Sequence, residues 1–118
     1  INLLINACHA LDERYPCSDA NKILRVTAGT FEQHSRQNLR ITVEDHGAGI
    51  APEVLDRIFD PLFSTKKEGS GLGLAISWDI AEAHAGALWV ESEAGLCTRF
   101  HLDIPVEDQR RKAIDITP

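Results

Sequence analysis

Apolar and polar positions repeat along this chain with two different periods, and each change of period marks an element. The stretch from Ile1 to Leu11 puts Leu3, Leu4, Ala7, Cys8 and Leu11 on one broad helical stripe, with Asn2 and Asn6 four apart on another face. Pro16 marks the end of this helix or a point just past it. A polar stretch from Ser18 to Lys22 leads into a strand at Ile23–Thr27, and the polar residues from Glu32 to Asn38 read as a turn. Leu39–Asp45 alternates cleanly, as a half-buried strand does.

His46–Gly47–Ala48–Gly49 breaks that strand, and Pro52 suits the first turn of a short helix reaching about Phe59. Residues from Asp60 to Ser70 read as a loop. A second long helix is expected from about Gly71 to Ala85, with a core stripe of Leu72, Ala75, Ile76, Ile80 and Ala83 and a stop at Gly86. Two strands follow, Leu88–Glu93 and Thr98–Ile104, around a turn at Ala94–Gly95. Val106–Pro118 is a charged tail or linker after a domain spanning residues 1–105. This order gives an α/β two-layer sandwich, a mixed sheet packed on one face by helices.

Composition narrows the function. The chain has 118 residues, the length of one domain, and no apolar run approaches the length of a membrane span. No secretion signal is visible. The domain is expected in the cytoplasm without direct membrane contact, its parent protein being either soluble or membrane-anchored with this domain facing the cytoplasm. A net charge of −6 with scattered Lys and Arg argues against nucleic acid but not against a nucleotide, which dipoles and backbone N–H groups hold at short range. Cys8, Cys17 and Cys97 have no metal-ligand spacing and read as reduced thiols.

Candidate chemistry gathers around the glycines, five of the eight falling between Gly47 and Gly73. Asp45 stands at a strand end before Gly47 and Gly49. A carboxylate there accepts from an exocyclic amine while the glycines let a flat ring approach the backbone, or it simply caps a turn. Gly69–Ser70–Gly71–Leu72–Gly73–Leu74 runs into a helix, whose unpaired N–H groups and dipole make a phosphate seat; a hinge before a helix is the plain alternative. The run fits neither a dinucleotide-binding nor a Walker A spacing. The side-chain amides of Asn2 and Asn6 are hard ligands suited to Mg²⁺, although Asn2 also suits a helix N-cap.

In order, Asn2–Ala7, Asp45–Ile50, Ile58–Lys66, Gly69–Ile76 and the closing stretch from His84 to Phe100 resemble the N box, first glycine box, F box, second glycine box and final segment of sensor histidine kinase catalytic domains, within the wider group of ATPases that includes gyrase. The resemblance implies Mg²⁺ held by Asn6 with Asn2 assisting, and the adenine amine of ATP on Asp45 with Gly47, Gly49 and Ile50 beside the ring. It implies a flexible lid over residues 51–70, packed down by Phe59 and Phe63, with Lys66 reaching a phosphate. Gly69, Ser70, Gly71, Leu72, Gly73 and Leu74 would form the phosphate seat, and Thr98 would lie near the adenine. Leu62, Ala85 and Cys97 depart from the family's usual Phe, Gly and Gly.

The resemblance further implies transfer of the γ-phosphate to a histidine on a separate dimerisation domain, and from there to a response regulator receiver domain. None of His9, His34, His46, His84 and His101 precedes an acidic residue, so the acceptor is expected upstream, where the first strand and the start of the first helix are also expected. His9 would reach a phosphate or serve the surface. Gyrase-type hydrolysis needs a glutamate one turn before the metal-binding Asn, and Asn2 stands there. A nucleotide-binding module without transfer and a serine-directed kinase of the same fold are the remaining alternatives.

Overall fold

The computed structural model describes residues 1–61 and 73–106. The elements run α1 (Asn2–Arg14), β1 (Leu24–Gln33), β2 (Arg36–Asp45), the short α2 (Pro52–Leu55), α3 (Gly73–Ala83), β3 (Ala87–Glu93) and β4 (Cys97–Pro105). The strands form one sheet in the order β1-β2-β4-β3, and its pairings are all antiparallel. The two-layer α/β sandwich is present, but the mixed sheet is not found among the described residues. The reason is topological: the connection through α3 brings β3 back parallel to β2, and its hairpin partner β4 inserts between the two.

One sheet face packs on the helices. The core comprises Ala7 and Leu11 from α1, Ala81 from α3, and Val43, Leu88 and Phe100 from the sheet, with Ile58 from the segment after α2. Asp45 and Thr98 share the inward face of Val43 and Phe100, because successive strand side chains alternate. Glu44, Arg99 and His101 therefore point to the opposite face.

Three expectations need correction. The β1–β2 hairpin is tighter than a turn over Glu32–Asn38: Gln33 pairs with Arg36, so only His34 and Ser35 form the loop. Both take positive φ, 54° and 61°, the conformation that matches the twist of the flanking strands. Neither is the Gly or Asn that signals such a turn. The helix stripes are rotated as well. In α1 Leu4 and Cys8 face solvent, while in α3 Ile76 and Ile80 are about half exposed and Ala83 is exposed. Ala81 is the buried residue of α3, and Leu74, Ala75 and Ser77 are half-buried, while Trp78 meets Phe59. Leu72, the first residue of the expected stripe, lies outside the described residues.

Gly86 was expected to stop α3, and the stop is shared. Ala85 takes the left-handed position, φ 57°, while the Gly86 N–H donates to Ala81 O at 2.8 Å and the Ala85 N–H to Glu82 O at 3.0 Å. These two bonds make a Schellman motif with alanine where glycine is the usual residue. Gly86 is needed for a different reason, since a Cβ there would run into the Asp103 carbonyl oxygen.

Candidate nucleotide site

The site is organised along one stripe of α1. Asn2, Asn6, Ala10 and Arg14 recur every four residues and so lie on neighbouring turns, over roughly 18 Å of helix. At the first end, Asn2 Nδ2 donates to Gly73 O at 3.2 Å, which ties the start of α1 to the start of α3. The same carbonyl accepts from Ser77 Oγ at 3.0 Å. At the other end, the loop after β2 lies on Ala10: a Cβ on Gly47 would come within 3.0 Å of both Ala10 Cβ and Ala10 O. Asn6, half-buried, stands between these two contacts.

Asp45 is 3 % exposed and ends β2. Its Oδ1 accepts the Gly47 N–H at 2.9 Å, which orients the carboxylate and bends the chain into the loop. Gly49 adopts φ 76°, and a Cβ there would collide with the Glu93 carbonyl, so this position combines positive φ with close backbone approach. The Gly95 N–H donates to Ala48 O, and the Ile50 N–H to Ser92 Oγ at 2.7 Å. The loop is thereby stitched to the β3–β4 turn. Thr98, 3 % exposed, sits directly opposite Asp45 in the β2–β4 ladder.

Phe59 packs its ring against Trp78 at 4.9 Å and edge-on to Phe100 at 6.3 Å, so the chain after α2 is pinned to both layers. Leu74 is half-buried in the first turn of α3. Phe63, Lys66, Gly69, Ser70, Gly71 and Leu72 lie outside the described residues, as does the second half of the expected lid, residues 62–70.

Two residues that pattern reading missed belong here. Ser92 joins Ile50, Thr98 and the Cys97 carbonyl through one hydroxyl. Arg14 Nη1 donates to His46 O at 3.2 Å, Gly47 O at 2.8 Å and Leu96 O at 3.4 Å. Neither carries a local signal, because their partners are brought in by the fold.

The donor set fits a metal shared with phosphates. Among the described residues no group of three His, Cys, Asp or Glu side chains could hold an ion alone. Mg²⁺ keeps several waters and takes few protein ligands when phosphates supply the rest, and neutral amide oxygens such as those of Asn6 and Asn2 suit that role.

Behind the site, on the opposite sheet face, Glu44 receives Arg99 Nε, Arg25 Nη1 at 3.1 Å and His46 Nε2 at 2.9 Å. The Arg99 hydrogen bond first, then that of His46, holds the Glu44 carboxyl below its ordinary range despite burial. Further along, burial pushes Asp103 upward, but hydrogen bonds from Arg40 and Trp89 outweigh it and the carboxyl is held low. Arg40 lies between the Phe31 and Trp89 rings, 4.5 and 4.9 Å from their centroids, and makes two bonds to Asp103 at 2.7 and 3.0 Å.

A strand-end carboxylate, a helical amide stripe and a glycine-led helix start, held together in a two-layer α/β fold, define the class. Residues 1–108 match the family described as histidine kinase-, DNA gyrase B- and HSP90-like ATPase, and the chain belongs to it. It is 39% identical over 111 residues to the sensor histidine kinase ZraS of Escherichia coli K12, covering 94% of this chain and 22% of that protein. It is 36% identical over 114 residues to the signal transduction histidine-protein kinase AtoS of the same strain, covering 97% of this chain and 17% of AtoS. With sporulation kinase E of Bacillus subtilis it shares 37% identity over 106 residues, 90% of this chain and 13% of that kinase. Among solved structures, full-length ShkA in complex with AMPPNP superposes with a TM-score of 0.67 at 28% identity, over 88% of this chain and 20% of ShkA. The chain thus spans between about an eighth and a little over a fifth of such relatives. No described helix is long and apolar enough to cross a membrane.

Proposed function

We propose that residues 1–105 are the ATP-binding catalytic domain of a two-component sensor histidine kinase. The observation that carries this reading is the α1 stripe, which brings Asn6 between the α3 start at Gly73 and the Asp45 loop at Gly47. Asp45 accepts the adenine 6-amino group through the carboxylate that Gly47 orients, and Gly49 lets the ring lie against the backbone. Thr98 meets the same edge of the base, alone or through a water. Asn6, with Asn2 beside it, holds Mg²⁺, which neutralises phosphate charge. The start of α3 faces the phosphates, and Phe59 fixes the base of the segment that follows α2.

In the proposed transfer, a nitrogen of a histidine on a dimerisation domain forms the new N–P bond. The bond between the γ-phosphorus and the β,γ-bridging oxygen breaks, and ADP leaves. The domain contributes position and electrostatics, which is most of what phosphoryl transfer asks of a protein. A response regulator is the onward acceptor, and the site works in the cytoplasm. The Asn2 bond to Gly73 O favours transfer over gyrase-type hydrolysis: an amide donates to that carbonyl, whereas an ionised glutamate only accepts.

Calorimetric titration of the chain with a magnesium-bound non-hydrolysable ATP analogue tests the reading. Asp45→Asn lowers affinity by about tenfold or more, since a charge-assisted bond to the amine is lost, and leaves the far-ultraviolet circular dichroism unchanged. Unchanged affinity in the variant removes Asp45 from the site.

A further inference from the structure

We infer that Arg14 is a positioning residue for purine recognition, acting on Asp45 through Gly47. The inference rests on the adenine reading of Asp45 and adds a residue that no box of the family resemblance contains.

One guanidinium nitrogen, Nη1, donates to the carbonyl oxygens of His46, Gly47 and Leu96. These belong to two separate segments, the loop after β2 and the turn between β3 and β4. Three carbonyl dipoles aimed at one point repel each other unless a donor stands between them, and a cation is the strongest such donor. Arg14 is also the basic residue of the last turn of α1, where the helix dipole favours positive charge. Its Cζ lies 5.2 Å from the Tyr15 ring centroid, which adds a second restraint on the side chain.

Each clamped carbonyl lies close in sequence to a base-facing group. Gly47 is the residue whose N–H fixes Asp45 Oδ1 at 2.9 Å, so a displacement of the Gly47 peptide carries the carboxylate with it. Leu96 lies two residues before Thr98, and Thr98 stands opposite Asp45. Ala10, one turn before Arg14, bears on Gly47 from the same side of the helix. Arg14 therefore sets the spacing between two recognition groups without touching the base.

The test compares ADP with IDP, both as magnesium complexes, on wild type, Arg14→Met and Arg14→Lys, by calorimetric titration. Inosine carries a carbonyl in place of the 6-amino group and a proton on N1, so IDP turns an acceptor toward Asp45 where ADP turns its exocyclic donor. Methionine keeps an apolar stem and removes the donors, while lysine keeps a charged donor. Arg14→Met is expected to weaken ADP about tenfold and IDP less than twofold, and Arg14→Lys to recover a large part of the ADP loss. Equal weakening of both ligands, or no change in either, overturns the inference, because a merely structural arginine does not distinguish the two bases. Should Arg14→Met fail to fold, Arg14→Gln, which keeps a polar head but removes the charge, decides in its place: a fall in the ADP-to-IDP preference supports the role, and an unchanged preference overturns it. Asp45→Asn run alongside separates the two levels. If it leaves the wild-type preference for ADP intact, the adenine reading itself fails whatever Arg14 does.

Discussion

The hydroxyls of Ser92 and Thr98 meet at 3.0 Å across the β3–β4 pair, and Thr98 in turn faces Asp45 across the β2–β4 pair. Three inward-facing polar groups thus stand side by side on adjacent strands at one end of the sheet. Ser92 Oγ donates to Cys97 O at 3.0 Å and accepts the Ile50 N–H at 2.7 Å. With its one proton committed, it can only accept from Thr98. The Thr98 hydroxyl then points its proton at Ser92 and keeps lone pairs for a donor arriving at the Asp45 side.

Replacing Ser92 by alanine removes that arrangement and leaves the Ile50 N–H and Cys97 carbonyl to find water. Ser92→Ala is expected to cost about 1–2 kcal/mol of stability and to weaken ATP binding several-fold. Urea unfolding and nucleotide titration measure the two effects. A stability loss with no affinity change would detach Ser92 from the site.

The stripe on α1 makes a separate claim about Asn6. If its amide serves the metal, Asn6→Ala weakens Mg·ATP by about tenfold while binding in EDTA stays close to wild type. Titrations with and without Mg²⁺ check this, and an equal loss under both conditions would reassign Asn6 to packing.

Ala85 carries a backbone cost that the rest of α3 tolerates. An alanine at φ 57° sits in the left-handed region, where the Cβ crowds the following carbonyl. Ala85→Gly relieves this and is expected to stabilise the chain by about 1 kcal/mol, less any gain glycine gives the unfolded chain. A rise of a few degrees in melting temperature is the readout. A fall would mean that the Ala85 methyl packs usefully enough to outweigh the strain.

The legibility of these features from sequence followed the range of the interaction involved. The helix and strand order was readable because it rests on local periods, and Asp45–Gly47–Gly49 stood out because glycine reports a backbone need. Orientation was less readable. Residues 74–81 of α3 are apolar on more than one side, so no stripe selects the face, and the observed one buries Ala81 and sets Trp78 against Phe59. The extent of the β1–β2 hairpin was hidden because His34 and Ser35 hold positive φ without the residues that normally announce it. Arg14 and Ser92 stayed invisible for a simpler reason: 33 residues separate Arg14 from Gly47, and 42 separate Ser92 from Ile50.

Glu44 lies behind the site, and its acid behaviour tests whether that outer network supports the fold. Its carboxyl is held below the ordinary range by the Arg99 hydrogen bond and then by His46. A folded-state value below the unfolded one means that the unfolded chain binds protons more readily. The resulting stability is fully present above the ordinary carboxylate range, near pH 4–5, and is lost as pH falls through the lowered value. Arg99 and Arg25 are both substantially exposed, so salt screens part of the effect. Glu44→Gln removes the titrating group while keeping the shape. It is expected to be less stable than wild type at pH 7 and to lose less stability between pH 5 and pH 3. Urea midpoints across that range at low and high salt give the comparison. Parallel pH curves for the two proteins would show that Glu44 adds nothing to acid-sensitive stability, and the network would then be left with only an orienting role for His46 at the mouth of the loop.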